Sequence, residues 1–282
     1  MSDRGHLGRA RTKGQGVPVC AQISAAIVLL AATCVLADEP PIEVNPNRPS
    51  FATPARTTQE GVAELEFGGQ HTLPRDGGSL SASPFLLKLG LLASLEARIG
   101  GSGWLRQGQP RGAPANSGFG DTTLGVQWCY WKNGPLGLDL AVQVTEKLPT
   151  ASAAEGLGSG ETDTLLMLLF SRDLGPYHVD ANAIVTWLGL PASAGGGHER
   201  QPAGTVCVSR TLSAHWSLTA EVYTIGATSS NPRIVSNLWA LGYKVSPRLV
   251  LDAGADIGLS HGAQKVSFVA GLTVGVARFR HP

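Results

Sequence analysis

A chain of 282 residues with 22 basic and 21 acidic side chains carries a net charge of +1 and no basic stripe, so nucleic acid has no electrostatic foothold on it. Hydrophobic residues make up 43% of the chain but are finely divided. No stretch reaches the roughly 18 consecutive apolar residues a spanning helix needs, so membrane helices are excluded, and nothing in the middle reads as a linker between two cores.

At the N-terminus Arg4, Arg9, Arg11 and Lys13 precede an apolar run from Ala25 to Leu36, and Val35-Leu36-Ala37 reads as a cleavage site. Residues 1–37 are therefore expected to be a signal peptide, with the mature chain starting near Asp38. The rival reading is a lipoprotein anchored at Cys34, for which Thr33 and Ala31 are poor neighbours. Loss of the leader removes Cys20 and Cys34 and leaves Cys129 and Cys207, read as two separate small wall residues and not as a disulfide framework. Residues 38–60 are rich in Pro, Thr and Asn and lack periodicity, which predicts an extended periplasmic arm or a partial plug of a lumen.

From Gly61 onward, in 61–282, the pattern becomes alternation with period two, the signature of strands with one apolar and one polar face. Twelve segments show it, near 61–72, 78–89, 92–104, 119–131, 135–147, 162–173, 176–188, 202–212, 215–226, 234–246, 248–260 and 265–279. The phase is cleanest in 215–225, 248–259 and 266–276: Trp216, Leu218, Ala220 and Val222 oppose Ser217, Thr219, Glu221 and Tyr223, for example. An even number of strands of about ten residues is what a bacterial outer-membrane barrel requires. Tight links such as Lys132-Asn133-Gly134-Pro135 and Ser246-Pro247-Arg248 alternate with longer Gly/Pro/Ser segments such as Leu148 to Glu161. That alternation sets both termini on the periplasmic side.

A charge facing lipid near the bilayer midplane costs about 2 to 4 kcal/mol, so charges should keep to the polar phase. Glu64, Glu66, Lys88, Glu96, Arg98 and Asp139 do so, as do Asp163, Asp180, Glu221, Lys244, Asp252 and Asp256. All but Asp163 are the candidate lumen-lining residues. Trp104, Trp128, Tyr130, Trp187 and Trp216 lie near strand ends and suit interfacial girdles.

Signals for other chemistry are weaker. Gly118-Phe119-Gly120-Asp121 lacks the Lys-Ser/Thr of a phosphate loop and reads as a tight approach to a strand. Glu155, Glu161 and Asp163 are read as solvated loop charges and not as a calcium site. His178 and Asp180 share a strand face and read as polar lining. His71, His198, His215, His261 and His281 fall in predicted loops, turns or ends, without a nucleophile motif, so no catalytic residues, metal or cofactor are expected.

The segments Asn47-Arg48-Pro49-Ser50-Phe51, Gly118-Phe119-Gly120-Asp121, Lys147-Leu148-Pro149-Thr150 with Gly158-Ser159-Gly160, Ser171-Arg172-Asp173-Leu174-Gly175 and Leu251-Asp252-Ala253-Gly254 resemble an outer-membrane family. That family is known as "Putative MetA-pathway of phenol degradation". The resemblance implies a barrel that moves small, often hydrophobic or aromatic compounds across the outer membrane. The expectation is thus an all-β protein: one transmembrane antiparallel β-barrel of about twelve strands behind a signal peptide, acting as a channel or transporter. Its expected partners are outer-membrane lipid, small-molecule solutes and the barrel-assembly machinery. The alternatives are a structural or adhesion barrel without conductance, an outer-membrane enzyme, or a secreted β-protein with a ligand cleft.

Overall fold

The computed structural model describes residues 41–108 and 115–280; the expected signal peptide lies outside them. Fifteen strands follow one another: β1 (Val62–Leu73), β2 (Ser79–Ala82), β3 (Phe85–Leu92), β4 (Leu95–Gly101), β5 (Trp104–Gly108), β6 (Asn116–Phe119), β7 (Thr122–Trp131), β8 (Leu138–Leu148), β9 (Asp163–Leu174), β10 (Tyr177–Gly189), β11 (His198–Thr211), β12 (Trp216–Ile225), β13 (Ile234–Ser246), β14 (Leu249–Gly258) and β15 (Val266–Arg278). Every pairing is antiparallel between neighbours, and β1 pairs with β15 from Val62↔Arg278 to Leu73↔Val266. The sheet therefore closes on itself and leaves no open edge along those strands.

Fifteen strands make twelve staves because three staves are broken. β2 and β3 both pair with β1, β5 pairs with β2 as β4 does with β3, and β6 and β7 continue the next stave. Here the expected unbroken segments 78–89, 92–104 and 119–131 need correction. The breaks, at Ser83-Pro84, Ser102-Gly103 and Gly120-Asp121, lie side by side: Ser83 N donates to Trp104 O at 3.0 Å and Gly120 N to Gly103 O at 2.8 Å. Pro84 has no N–H to give a ladder. Gly103 has φ of 61°, and a Cβ there would lie 2.0 Å from Ser83 O, so only glycine fits. Two further boundaries move: the first tight turn is Ala93-Ser94, not Gly90 to Leu92, and β11 begins at His198, not near 202.

Turns and loops segregate to opposite ends of the barrel. Residues 93–94, 132–137, 175–176, 212–215 and 247–248 form one end, and the longer connections 149–162, 190–197 and 226–233 belong to the other. We call these the turn end and the loop end.

The side chains invert the usual soluble pattern. Along β7, Leu124, Val126 and Trp128 face outward and are 45%, 48% and 52% exposed, whereas the intervening Gln127 and Cys129 are buried at 0% and 2%. Val206, Val222, Trp239 and Phe268 are likewise exposed while Thr205, Glu221 and Ser267 are buried. An apolar surface around a polar core suits a hydrocarbon solvent outside and water or polar protein inside. Exposed Trp128, Tyr130, Trp131 and Trp216 lie toward the turn end, and Trp216 packs on Tyr243 at 4.8 Å. Trp104 meets Phe119 edge-on at 5.2 Å toward the other end. Trp187 is half-buried on β10. One part of the interior is apolar: Ala141, Met167, Leu169 and Ile184 of β8 to β10 pack around Ala55.

Candidate functional site: the lumen and the arm within it

Residues 41–60 touch inward-facing side chains of staves all around the circumference, which is possible only from inside the barrel. The segment enters at the turn end, where Val44 N donates to Pro247 O at 3.0 Å and Glu43 pairs with Lys244 at 2.9 Å. It rises past Glu64 and Glu66, turns near Phe51, descends past Asn182 and Ser171, and returns to the turn end, where Thr57 Oγ1 donates to Ala93 O. Asn45 Nδ2 donates to Arg56 O at 2.8 Å and ties the two legs together. The arm is therefore a hairpin that goes in and comes back on the same side.

Its composition explains how it stays there. Prolines at positions 46, 49 and 54 keep the chain extended and off the helical path. An extended chain cannot satisfy its own N–H groups, and buried N–H groups need partners. The wall supplies them. Asn45 N donates to Glu64 at 2.9 Å, Asn47 N to Glu66 at 2.8 Å, Phe51 N and Ala52 N to the two oxygens of Glu221 at 2.8 and 2.7 Å, and Thr58 N to Glu96 at 2.6 Å. Thr53 and Asn182 exchange a reciprocal pair at 2.7 and 2.9 Å, and Gln127 Nε2 donates to Pro54 O at 2.9 Å.

The charges obey the same logic. Of the eleven candidate lining residues eight are acidic and three basic, an imbalance that a dry interior cannot hold unpaired. Lys88 lies between Glu64 at 2.5 Å and Glu66 at 2.7 Å, all three fully buried, and Arg98 bonds Glu96 at 3.1 Å and Gln127 at 2.7 Å. The arm adds two cations. Arg48 binds Asp252 through Nε and Nη2, at 3.2 and 3.1 Å. It occupies the space above Gly68 and Gly271, where a Cβ would lie 2.5 Å from its guanidinium. Arg56 meets Asp139 at 2.5 Å and Asp173 at 3.2 Å. Partial burial opposes its charge, but the Asp139 and Asp173 partners outweigh that, and its pKa rises above the ordinary arginine value.

The remaining candidates are placed as follows. Asp180 accepts from Ser171 at 2.5 Å and from His178 at 3.1 Å, and His178 also bonds Asp173 at 2.6 Å. Asp256 is half-buried toward the loop end and accepts from Tyr223 Oη and Gln264 Nε2, both at 2.6 Å, and from Ser236. Lys244 stands at the turn-end mouth, its side chain 41% exposed and paired with Glu43, and not deep in the lumen. Asp163, grouped in the sequence with Glu155 and Glu161, is instead engaged by Lys147 at 2.9 Å and by Gly189 N at 2.9 Å. Among the described residues no three His, Cys, Asp or Glu side chains are arranged to hold a metal ion. Cys129 and Cys207 are buried and free, on β7 and β11. His71, expected in a loop, turn or strand end without a nucleophile motif, lies within β1, two residues from its end, with Nδ1 2.9 Å from Ser81 Oγ at the exposed surface.

The sequence reading missed the arm's own contributions. Arg48, Phe51 and Arg56 lie in a stretch without periodicity, so no face could be assigned to them. Tyr223 was on the polar phase of its strand but carries no charge to single it out; its ring stacks on Phe51 with centroids 4.8 Å apart and planes inclined by 26°.

A closed antiparallel barrel, apolar outside and charged within, is an outer-membrane β-barrel. The chain belongs to the family "Putative MetA-pathway of phenol degradation", which it matches over residues 47–276, a span that begins within the arm. Its fold is similar to that of a COG4313 outer membrane channel from Pseudomonas putida F1, with a TM-score of 0.61 and 14% identity over 82% of this chain and 99% of that one. It is also similar to the NanC porin, with a TM-score of 0.53 and 9% identity over 75% of this chain and 98% of that one. No curated protein matches it in sequence.

Proposed function

We propose that the protein is an outer-membrane channel for small solutes, held closed from the periplasmic side by residues 41–60. The observation that carries this reading is the arm's attachment: its main-chain N–H groups and two arginines bind wall carboxylates on several staves around the lumen. These are polar contacts that water can replace. A core built to stay shut would be filled with apolar side chains, as the patch around Ala55 is, whereas Glu64, Glu66, Gln127 and Glu221 are buried against the arm. Short turns toward the periplasm and longer loops outside agree with an arm that follows an exported leader and enters at the turn end. The family and the channel fold support passage of solutes, and insertion into the outer membrane by the assembly machinery belongs to the same reading.

Withdrawal of the arm uncovers Glu64, Glu66, Glu221 and Asp252 and leaves an acidic passage, which favours cations. The test is planar-bilayer conductance of the intact protein and of a variant lacking residues 41–58, each first shown to be folded by a heat-dependent gel shift. The intact protein should show rare, brief openings and the shortened one a steady, cation-selective conductance. A folded but silent shortened protein would contradict the channel and favour a structural barrel.

We read the barrel as a conduit and not an enzyme. The His71–Ser81 contact is the observation on the other side. Ser81→Ala should leave hydrolysis of fluorogenic fatty-acyl esters at the level of empty detergent; activity lost with that substitution would overturn the reading.

A further inference from the structure

Phe51, at the tip of the arm, makes two contacts at once. Its ring stacks on Tyr223, and its own N–H donates to Glu221 Oε2 at 2.8 Å. Tyr223 and Glu221 lie two residues apart on the inner face of β12. Tyr223 is held in place, since its hydroxyl donates to Asp256 at 2.6 Å. Glu221 is buried, and apart from the arm its partner is Thr205 Oγ1 at 2.5 Å. The wall thus presents an aromatic face beside a carboxylate that keeps the Thr205 hydroxyl but loses both of its main-chain donors whenever the arm is away.

Next to the stack lies a cavity of about 200 Å³, bordered by Gln70, Leu238 and Val269 on the side away from the arm. A cavity of about 150 Å³ suffices for benzene, so one substituted ring fits. Phe51 lines that cavity and is 37% exposed.

We propose that Tyr223 and Glu221 form a binding site for a small aromatic ring bearing an amine, and that Phe51 occupies it as a built-in competitor. The ring, Cβ, Cα and N of Phe51 reproduce the skeleton of an arylethylamine. A free ammonium in place of the amide N–H gives Glu221 a charge-assisted bond, which is the stronger kind. Such a solute arriving from the loop end takes both of Phe51's contacts and loosens the arm. This deepens the reading of the lumen as a gated solute path, but the binding itself can be measured without conduction.

The probe is 2-phenylethylamine, titrated calorimetrically into the intact protein in detergent. Phe51→Ala removes the competing ring from a segment outside the strands, so the barrel folds regardless. Given the usual worth of an aromatic pair, affinity should rise about 2- to 10-fold in Phe51→Ala. Tyr223→Leu should abolish binding, whereas Tyr223→Phe should keep most of it. Glu221→Gln should weaken the amine more than neutral 2-phenylethanol. Unchanged or weaker affinity in Phe51→Ala overturns the proposal, because a Phe51 that merely packs would not compete. Binding with this pattern in a protein that never conducts would sink the channel reading and leave the site standing; a conducting protein that ignores the amine would do the reverse.

Discussion

Arg48→Ala should open the lumen. Arg48 is the arm's most deeply placed cation, its side chain 13% exposed against 3% for Asp252. Removing one partner of a pair buried in a dry interior costs about 3 to 5 kcal/mol. The lumen becomes wet when the arm leaves, so Asp252 recovers hydration, and the loss is nearer the roughly 1.5 to 3 kcal/mol of hydrogen bonds to a charged group. That corresponds to a shift of about 10- to 150-fold toward the undocked arm. The cost falls on docking and not on the barrel, whose ladders do not involve Arg48. Single-channel open probability should therefore rise by that factor while the temperature of the heat-dependent gel shift stays put. The double variant Arg48→Ala with Asp252→Ala should return part of the way to closure, since no carboxylate is then left calling for a cation. An open probability unchanged in Arg48→Ala would refute the reasoning, as would a double variant more open than the single.

Other substitutions probe the wall. Lys88→Met leaves Glu64 and Glu66 buried without their shared cation; a loss of about 3 to 5 kcal/mol in urea unfolding from lipid bilayers is expected, and an unchanged midpoint would show that water already reaches this triad. Val126→Arg puts a charge on the outward face of β7 and should cost about 2 to 4 kcal/mol in the same assay, if that face meets hydrocarbon; a neutral result would mean it does not. Cys129 and Cys207 should both take up a thiol reagent after denaturation without prior reduction, as free thiols do; failure to label would reveal a disulfide.

Much of the barrel was legible because its physics repeats. Lipid outside and polar lumen inside force period-two alternation, and Leu124-Gly125-Val126-Gln127-Trp128-Cys129 displays it residue by residue. The alternation of tight and long links likewise survives in the structure. Where the alternation fails, so does the reading. Leu165 to Phe170 is apolar on both phases, and only the fold shows that Met167 and Leu169 turn inward against Ala55. The aligned breaks at Ser83-Pro84, Ser102-Gly103 and Gly120-Asp121 arise from contacts between staves, which a single strand's pattern does not carry. The charged wall residues could be assigned to the lumen by the cost of charge in lipid, but their partners could not. Glu221 meets Phe51 and Ala52, and Asp252 meets Arg48, across sequence separations that no local signal spans.

The central claim is that the arm inside the lumen is the gate, and a native cysteine offers a way to lock it. Ser50 Oγ lies 3.5 Å from Cys207 Sγ, so Ser50→Cys, with Cys129→Ala to remove the other thiol, should allow a disulfide that fastens the tip to β11. Single-channel recordings of the oxidised form, its crosslink verified by mass spectrometry, should be silent, and addition of reductant should restore openings at the unmodified protein's frequency. Equal currents before and after reduction, with the crosslink in place, would contradict the account.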